Sequence, residues 1–295
     1  MKIFFIINPI AGNGKALEEW EKNKIKIFKN FGEQNYEFTK YPGHAIEISK
    51  KISNEDFDLI VSVGGDGTLN EVVNGLVNSN KTIVILPFGT GSDFGKTIGI
   101  RNLDDFFIAV KNGKKIKVDI GNVYFTEQSF SRYFIKILEI GFGAEVMNYV
   151  NKHKSLGKYS FILGIISTLS KMKKFDLNIQ LNTIKKTFST IEVIVANGKY
   201  FGGGMLASPD SKIDDGFLNL HILKSFSKLT SVIRLRNLIS GEYIKKGYSY
   251  DFISNEIFVE NSGILVEMDG DVIGKTPIKI TILEKKIEFL IPQKF

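Results

Sequence analysis

Three times in its first 94 residues this chain runs a short, largely apolar segment into a glycine-bearing loop and then into helix-forming sequence. Ile3–Ile7 leads into Asn8-Pro9-Ile10-Ala11-Gly12-Asn13-Gly14-Lys15, and Asp58–Val63 leads into Gly64-Gly65-Asp66-Gly67. Thr82–Leu86 leads into Pro87-Phe88-Gly89-Thr90-Gly91-Ser92-Asp93-Phe94. Apolar runs of this length, bounded by turn signals, are strands buried on both faces. Between them, Ala16–Asn30, Ala45–Ile52 and Leu69–Val77 carry apolar residues at helical spacing, and Tyr36–Thr39 is a weaker strand. Strand–helix alternation of this kind dictates βαβ units and a parallel sheet.

After about Val118 the texture changes. Tyr133–Ile140, Thr190–Ala196, Phe217–Leu223, Ile257–Val259, Gly263–Met268 and Ile278–Leu283 are β-rich and often alternate, with one helical stretch at Leu229–Ile239. This is the pattern of an antiparallel sandwich or partial barrel. At roughly 150 residues per domain, 295 residues make about two domains. The expected division is 1–120 and 121–285, at a basic turn region around Lys111–Lys117, with residues 286–295 returning to the first domain.

Composition removes whole classes. With no cysteine there is no disulfide framework, thiolate metal site or cysteine nucleophile. His44, His153 and His221 form no H-x-x-x-H pair, which argues against a zinc hydrolase. The net charge of +7 admits phosphorylated substrates, anionic membranes or nucleic acid. Base-edge readers favour the planar fork of arginine. Here Arg101, Arg132, Arg234 and Arg236 are the only arginines, so nucleic acid is not an expected partner. Tyr159–Ser170 is a run of twelve uncharged residues between Lys158 and Lys171, short of the roughly 20 that span a bilayer. It reads as a mostly buried helix; the alternative is a surface-seeking helix, given the flanking Lys152, Lys154, Lys158, Lys171, Lys173 and Lys174.

The glycine loops carry the chemistry. A glycine lets the backbone come close to a ligand, and a helix N-terminus behind it favours anions. In open α/β sheets ligands sit at the carboxyl ends of the strands, where all three loops fall. Asp66 beside such a site would repel phosphate unless it works through a metal or a proton, or merely caps a helix. Two better-known fingerprints fail. Gly95-Lys96-Thr97 and Gly274-Lys275-Thr276 end like a P-loop, but Thr90 and Asp269 stand where its first glycine belongs. Gly12-x-Gly14 would open a dinucleotide fingerprint only if Leu17 were glycine.

Together these segments resemble the diacylglycerol kinase catalytic-domain family, which includes bacterial lipid kinases and sphingosine kinases. The residues that carry the likeness are Asn8-Pro9 with Gly12, Gly43-His44-Ala45, Gly64-Gly65-Asp66-Gly67-Thr68 with Asn70-Glu71, and Pro87-Phe88-Gly89-Thr90. In the second half they are Gly141-Phe142-Gly143-Ala144-Glu145, Asn197 with Phe201-Gly202-Gly203-Gly204, Ser208-Pro209-Asp210, Asp214-Asp215-Gly216 and Asp269-Gly270. NAD kinases share the Gly-Gly-Asp-Gly-Thr loop; the β-domain motifs separate the two families.

The resemblance implies α/β plus β: a small doubly wound α/β nucleotide-binding domain, then a larger antiparallel β-sandwich domain, with the active site in the cleft between them. It implies an ATP- and Mg²⁺-dependent kinase that moves the γ-phosphate to a lipid hydroxyl, on diacylglycerol or a related glycerolipid. Carried over, the ATP-binding residues are Asn8, Pro9, Ile10, Ala11, Gly12, Thr39, Gly65, Asp66, Gly67, Thr68, Leu69, Asn70, Glu71 and Thr90. The Mg²⁺ loop is Lys212 to Phe217, with the Asp215 carboxylate and the carbonyls of Lys212 and Phe217 as ligands. Asp66 joins the metal–water network, and Asp271 stands where the family has its general-base glutamate, one methylene shorter. Ser92 replaces the usual asparagine before Asp93-Phe94. A cytoplasmic protein, peripheral to the inner face of the membrane, is the expected setting, with Lys152–Lys174 and Leu229–Tyr243 as candidate membrane surfaces; a homodimer is compatible with it. The open alternatives are a small-molecule or NAD kinase, and a catalytically weak nucleotide- or lipid-binding regulator.

Overall fold

The structure is a computed structural model that describes residues 1–89, 91–153, 159–171, 173–225, 230, 237 and 240–293. Its contacts divide the chain into two compact units, Met1–Ile120 with Glu284–Phe295, and Gly121–Leu283.

The first unit is built from β1 (Ile3–Ile7), α1 (Lys15–Phe31), β2 (Asn35–Phe38), α2 (His44–Ile52), β3 (Leu59–Val63), α3 (Asp66–Leu76), β4 (Thr82–Leu86), α4 (Asp93–Ile98) and α5 (Leu103–Asn112). Its strands pair in parallel in the order β2-β1-β3-β4. All five residues of β1, β3 and β4 are buried, as largely apolar strands covered on both faces require. The strands β5 (Gly113–Phe125) and β17 (Ile278–Pro292) each have residues in both units. Late residues of β17 extend the first unit's sheet in parallel beyond β4, Glu288 opposite Thr82 and Phe289 opposite Ile83. Trp20 on α1 is fully buried, its ring 5.1 Å from that of Phe5. Each such side chain contributes about 2–3 kcal/mol through the apolar area it removes from water. Lys111–Lys117 is not the expected turn: α5 ends at Asn112 and β5 starts at once at Gly113.

The second unit is antiparallel. After β5 come β6 (Phe130–Phe134), β7 (Ile137–Gly141), α6 (Phe142–Lys152), α7 (Tyr159–Lys171), β8 (Phe175–Leu181), β9 (Ile184–Ala196), β10 (Tyr200–Phe201), β11 (Met205–Leu206) and β12 (Leu218–Lys224). They are followed by α8 (Glu242–Lys245), β13 (Ser249–Ser254), β14 (Glu256–Val259), β15 (Leu265–Met268) and β16 (Asp271–Lys275). The thirteen-residue β9 pairs with β8 along its first half, then with β7 and β12 along its second. β15 lies on the other side of β7 and makes a hairpin with β16. Leu138, Ile140, Val193, Val195, Val266 and Met268 point to one side of these strands and join the main apolar core. Ile137, Ile194 and Ala196 point to the other side, where they meet Ala207 and Tyr243.

Two expectations need correction. Tyr133–Ile140 is not one strand but β6 and β7, broken at Ile135-Lys136, whose main-chain N–H groups leave the ladder to donate to Asp269. Tyr159–Ser170 is a helix, but not a mostly buried one. Only Ser160 and Gly164 are buried, while Tyr159, Ile162, Leu163 and Ile166 are 40–61% exposed. A Cβ on Gly164 would stand 3.2 Å from the Val146 carbonyl oxygen, so the helix docks on α6 through its smallest residues and turns its bulk outward. The expected helix at Leu229–Ile239 lies almost wholly outside the described residues.

Candidate active site

In the first unit, β1 connects leftward to β2 and β3 connects rightward to β4. Their outgoing loops therefore part at the topological switch point, where open α/β sheets take their ligands. Backbone bonds lock the three loops together. The Asn8 N–H donates to the Val63 carbonyl (3.0 Å), Gly64 N–H to Leu86 (3.2 Å), and Gly89 N–H to Gly64 (3.1 Å). Asn8 also reaches Thr68 Oγ1 through Nδ2 at 3.1 Å and folds its own loop by accepting from the Ile10 N–H at 3.2 Å.

Close approach explains two of the glycines. A Cβ on Gly64 would lie 2.6 Å from Thr68 Oγ1, and one on Gly89 would lie 2.8 Å from the Gly65 nitrogen. No side chain fits between these loops. Gly67 differs: a Cβ there would meet nothing within 4 Å, and the cap residue of α3, Gly65, has no side chain to satisfy the helix's first amides. The beginning of α3 is thus an open set of N–H donors with the positive end of the helix dipole behind it.

The two acidic residues of this segment are occupied. Both oxygens of Asp66 accept main-chain N–H groups from the start of α4, Asp93 at 2.9 Å and Phe94 at 3.2 Å. Asp66 therefore caps α4, not its own helix, and Ser92 completes that cap by accepting from the Gly95 N–H at 3.0 Å. Glu71 accepts from Gly43 (2.8 Å) and Ala45 (3.1 Å) at the start of α2. Sequence reasoning assigned both carboxylates to a ligand and missed these links, which join residues 26 or more positions apart. Thr39 follows β2, its N–H donating to Ile7 at 2.8 Å at the carboxyl end of β1. Pro9, Ile10, Ala11 and Gly12 lie in the loop after β1, and Leu69 and Asn70 are buried in α3. Thr90 lies outside the described residues.

In the second unit, Asp269-Gly270 is the β15–β16 hairpin turn, with φ of 52° and 105°, the left-handed pair that such turns demand. Asp269 is buried and accepts from the N–H groups of Ile135, Lys136 and Ile137 at 2.8–3.1 Å, so it pins the turn. Asp271 is the first residue of β16 and is exposed.

The Lys212–Phe217 loop is folded by Asp215, whose Oδ1 accepts from the Phe217 N–H at 3.1 Å. Its base is held by a chain that runs from the core to the surface: Ser211 Oγ donates to Ser208 Oγ (2.7 Å), Ser208 bonds His221 Nε2 (2.8 Å), and His221 Nδ1 bonds Asp251 (2.7 Å). Burial pushes the Asp251 carboxyl up, but hydrogen bonds from His221 and Ser249 outweigh it and leave the group below its usual range. Ser208 is fully buried, so this triad is a structural strut and not a nucleophile. Among the described residues no group of three or more acidic or histidine side chains is arranged to hold a metal. One carboxylate with main-chain carbonyls is nevertheless an oxygen donor set suited to Mg²⁺, an ion that keeps several waters.

Sequence reasoning also missed three buried glutamates. Glu139 on β7, Glu192 on β9 and Glu267 on β15 are 4%, 2% and 3% exposed, on the strand face opposite the main core. Burial, with neighbouring Glu192 adding to it, pushes Glu139 up to about 8. Burial also drives Glu192 and Glu267 well above the carboxylate range. All three stand at alternating positions within β segments, a pattern that reads as a solvated sheet face; α6 covers that face.

Comparison with known proteins places this geometry. Residues 2–123 match the diacylglycerol kinase catalytic domain family, and residues 136–291 match the YegS C-terminal NAD kinase beta sandwich-like domain. A diacylglycerol kinase of Bacillus subtilis (strain 168) is 29% identical over 98% of this chain and 96% of its own length. A diacylglycerol kinase of Staphylococcus aureus (strain bovine RF122 / ET3-1) is 28% identical over 97% of this chain and 91% of its own. The crystal structure of "a putative diacylglycerol kinase" from Bacillus anthracis str. Sterne superposes with a TM-score of 0.80 at 25% identity, covering 99% of this chain and 98% of that one. The chain belongs to the family of diacylglycerol kinase-like lipid kinases.

Proposed function

We propose that the protein transfers the γ-phosphate of ATP to the hydroxyl of diacylglycerol or a closely related glycerolipid. The observation that carries the donor half is the interlocked loop set after β1, β3 and β4, ending on the open amides of α3. Asn8 to Gly12, Thr39, Gly65 to Glu71 and Thr90 hold the nucleotide, the amides of the Gly65–Thr68 segment meeting its phosphates. Asp66 and Glu71 keep these loops in shape by capping α4 and α2, and the Asp66 carboxylate would lie beside the phosphates' metal ion. Lys212 and Phe217 through their main-chain carbonyls and Asp215 through its carboxylate would hold Mg²⁺, which would supply positive charge against the phosphates. Asp271, exposed and at the end of a pinned turn, takes the proton of the lipid hydroxyl.

The acceptor is received by the second unit. A cavity of about 580 Å³ opens between α6 and α7, bounded by Phe142, Tyr149, Phe175 and Ile264, which is within the range of small-molecule sites. No described helix is long and apolar enough to cross a membrane. The protein instead works as a peripheral enzyme: the exposed apolar side chains of α7, near Lys152, Lys171, Lys173 and Lys174, enter the headgroup layer of an anionic bilayer. The second proposed surface, Leu229–Tyr243, lies mostly outside the described residues, as do Lys154 and Lys158.

The test is transfer from radiolabelled ATP to a panel containing diacylglycerol, other glycerolipids, a sphingoid base and NAD, with and without Mg²⁺. Label in a phosphorylated glycerolipid, lost in Asp271→Ala, is the expected result. Label in NAD alone, or in no acceptor, overturns the proposal, and unchanged turnover of Asp271→Ala removes its role as base.

A further inference from the structure

The loop assigned to Mg²⁺ is held differently at its two ends. Phe217 runs straight into β12, which is paired on both sides, Leu218 with Ser254 of β13 and Asn219 with Ala196 of β9. Lys212 lies outside any strand or helix. It is exposed, whereas Ser211 before it is 1% exposed, so the loop leaves the core at that peptide. Ser211 is tied to Ser208 twice, its N–H to the Ser208 carbonyl at 3.2 Å and its Oγ to Ser208 Oγ at 2.7 Å. Behind Ser208 stand His221 of β12 and Asp251 of β13, opposite each other in the register of those strands. Tyr243 of α8 meets the His221 ring edge-on at 5.7 Å and braces the same segment one residue earlier, donating to the Ala207 carbonyl at 2.6 Å.

These side-chain bonds have one direction. An ionised carboxylate can only accept, so Asp251 Oδ1 takes the Nδ1 proton of His221 at 2.7 Å, as it takes the Ser249 hydroxyl proton at 2.7 Å. A neutral imidazole then has only an acceptor at Nε2, and Ser208 must donate to it at 2.8 Å. Ser208 has used its single proton, so its oxygen is left to accept from Ser211. The carboxylate on β13 thus dictates, bond by bond, which way the Ser211 hydroxyl points.

We propose that His221 and Asp251 are positioning residues for the metal loop: through Ser208 and Ser211 they set where the Lys212 carbonyl stands relative to that of Phe217. This rests on Lys212, Asp215 and Phe217 being the Mg²⁺ ligands. Mg²⁺ demands near-octahedral oxygen geometry, so carbonyls carried by opposite ends of one loop serve it only when both ends are fixed. β12 fixes the Phe217 end and the chain of hydrogen bonds fixes the other. Its far end is the Asp251 side chain, 35% exposed, which can be altered without touching the loop.

Groups that orient the ligands of a metal contribute about tenfold to a hundredfold in its affinity. The experiment is a calorimetric titration of Mg²⁺ into the nucleotide-free protein at about pH 8, where an ordinary imidazole is neutral. It compares wild type, Asp251→Ala, Asp251→Asn, Ser211→Ala and the double variant of Asp251→Ala with Ser211→Ala. Asp251→Ala leaves Nδ1 to water, which donates as readily as it accepts, so the imidazole proton is no longer assigned. Mg²⁺ affinity should fall about tenfold in Asp251→Ala and in Ser211→Ala, and the double variant should fall no further, because both cut the same chain. Asp251→Asn keeps an acceptor oxygen and should stay within about threefold of wild type. Ring-nitrogen NMR shifts should put the His221 proton on Nδ1 in the wild type. A residue that only stabilised the fold would lower Tm and leave Mg²⁺ affinity unmoved.

A wild-type His221 proton on Nε2 overturns the proposal without any variant. Unchanged Mg²⁺ affinity in Asp251→Ala overturns it too, as do losses that multiply to about a hundredfold in the double variant. If the wild type takes up no Mg²⁺ without nucleotide, the metal reading of the loop falls, and hydrogen exchange at the Ser211 amide decides the rest. Faster exchange in Asp251→Ala means that the anchoring of the Lys212 end stands; unchanged exchange means that it falls as well.

Discussion

Replacing Glu71 with alanine separates two roles that the same carboxylate could play. Its oxygens accept the Gly43 N–H at 2.8 Å and the Ala45 N–H at 3.1 Å, so it caps α2, whose own cap residue is glycine. A hydrogen bond to a charged group contributes about 1.5–3 kcal/mol net, and two would give roughly 3–6 kcal/mol. Glu71 and Gly43 are half-buried, so the lower end of that range applies: about 3 kcal/mol. For a unit of this size, that lowers Tm by ~10 °C. Glu71→Gln keeps one acceptor oxygen without the charge and should fall about halfway. Calorimetric melting of both variants beside ATP titrations reads the two roles apart. The capping argument predicts a lower Tm, with ATP affinity falling only as far as the α2–α3 region loosens. A Glu71→Ala protein that melts within about 2 °C of wild type but binds ATP much more weakly refutes it.

Gly89→Ala brings a methyl group to 2.8 Å from the Gly65 nitrogen and 2.9 Å from its Cα, backbone that cannot step aside. It should raise the KM for ATP by about tenfold or more, and unchanged nucleotide binding would show that the loops tolerate separation. Ile162→Glu with Ile166→Glu puts charge on the exposed face of α7, and should abolish sedimentation with anionic vesicles without moving Tm. Equal binding of the wild type to neutral vesicles would remove the electrostatic part of that argument. Stability should also depend on pH. Glu139 is held protonated, up to about 8, so its contribution is complete below the ordinary carboxylate range and is lost as pH rises through about 8. Urea midpoints should therefore decline from about pH 5 to about pH 8, and Glu139→Gln should flatten the decline.

The parallel strands were legible because β1, β3 and β4 are buried on both faces and so read as nearly continuous apolar runs, broken only by the small polar side chains of Ser62 and Thr82. The loops were legible for a related reason: glycines packed at strand ends mark places where backbone meets backbone. What the chain did not disclose depends on partners far away in sequence. Nothing local to Glu71 points to Gly43, and nothing local to Asp66 points to Asp93. Glu139, Glu192 and Glu267 sit where a strand shows its second face, and one helix lying over that face turns three solvated acids into a buried cluster. The outward bulk of α7 likewise follows from Ser160 and Gly164 facing α6, a choice that apolar content alone does not reveal.

The late residues of β17 have a consequence for biosynthesis. The first unit has most of its elements by residue 112, yet the free edge of its sheet beyond β4 is filled by a strand that ends at Pro292. Phe289 lies against Phe94 with ring centroids 4.9 Å apart, and Glu288 accepts from Thr82 Oγ1 at 2.6 Å and pairs with Lys115 at 2.8 Å. While a ribosome is still making the second unit, the first has an open β4 edge and an uncovered Phe94. It closes only when those late residues have emerged, so a chain interrupted near residue 283 leaves a nucleotide-binding unit with a bare sheet edge, a target for aggregation or for quality-control proteases.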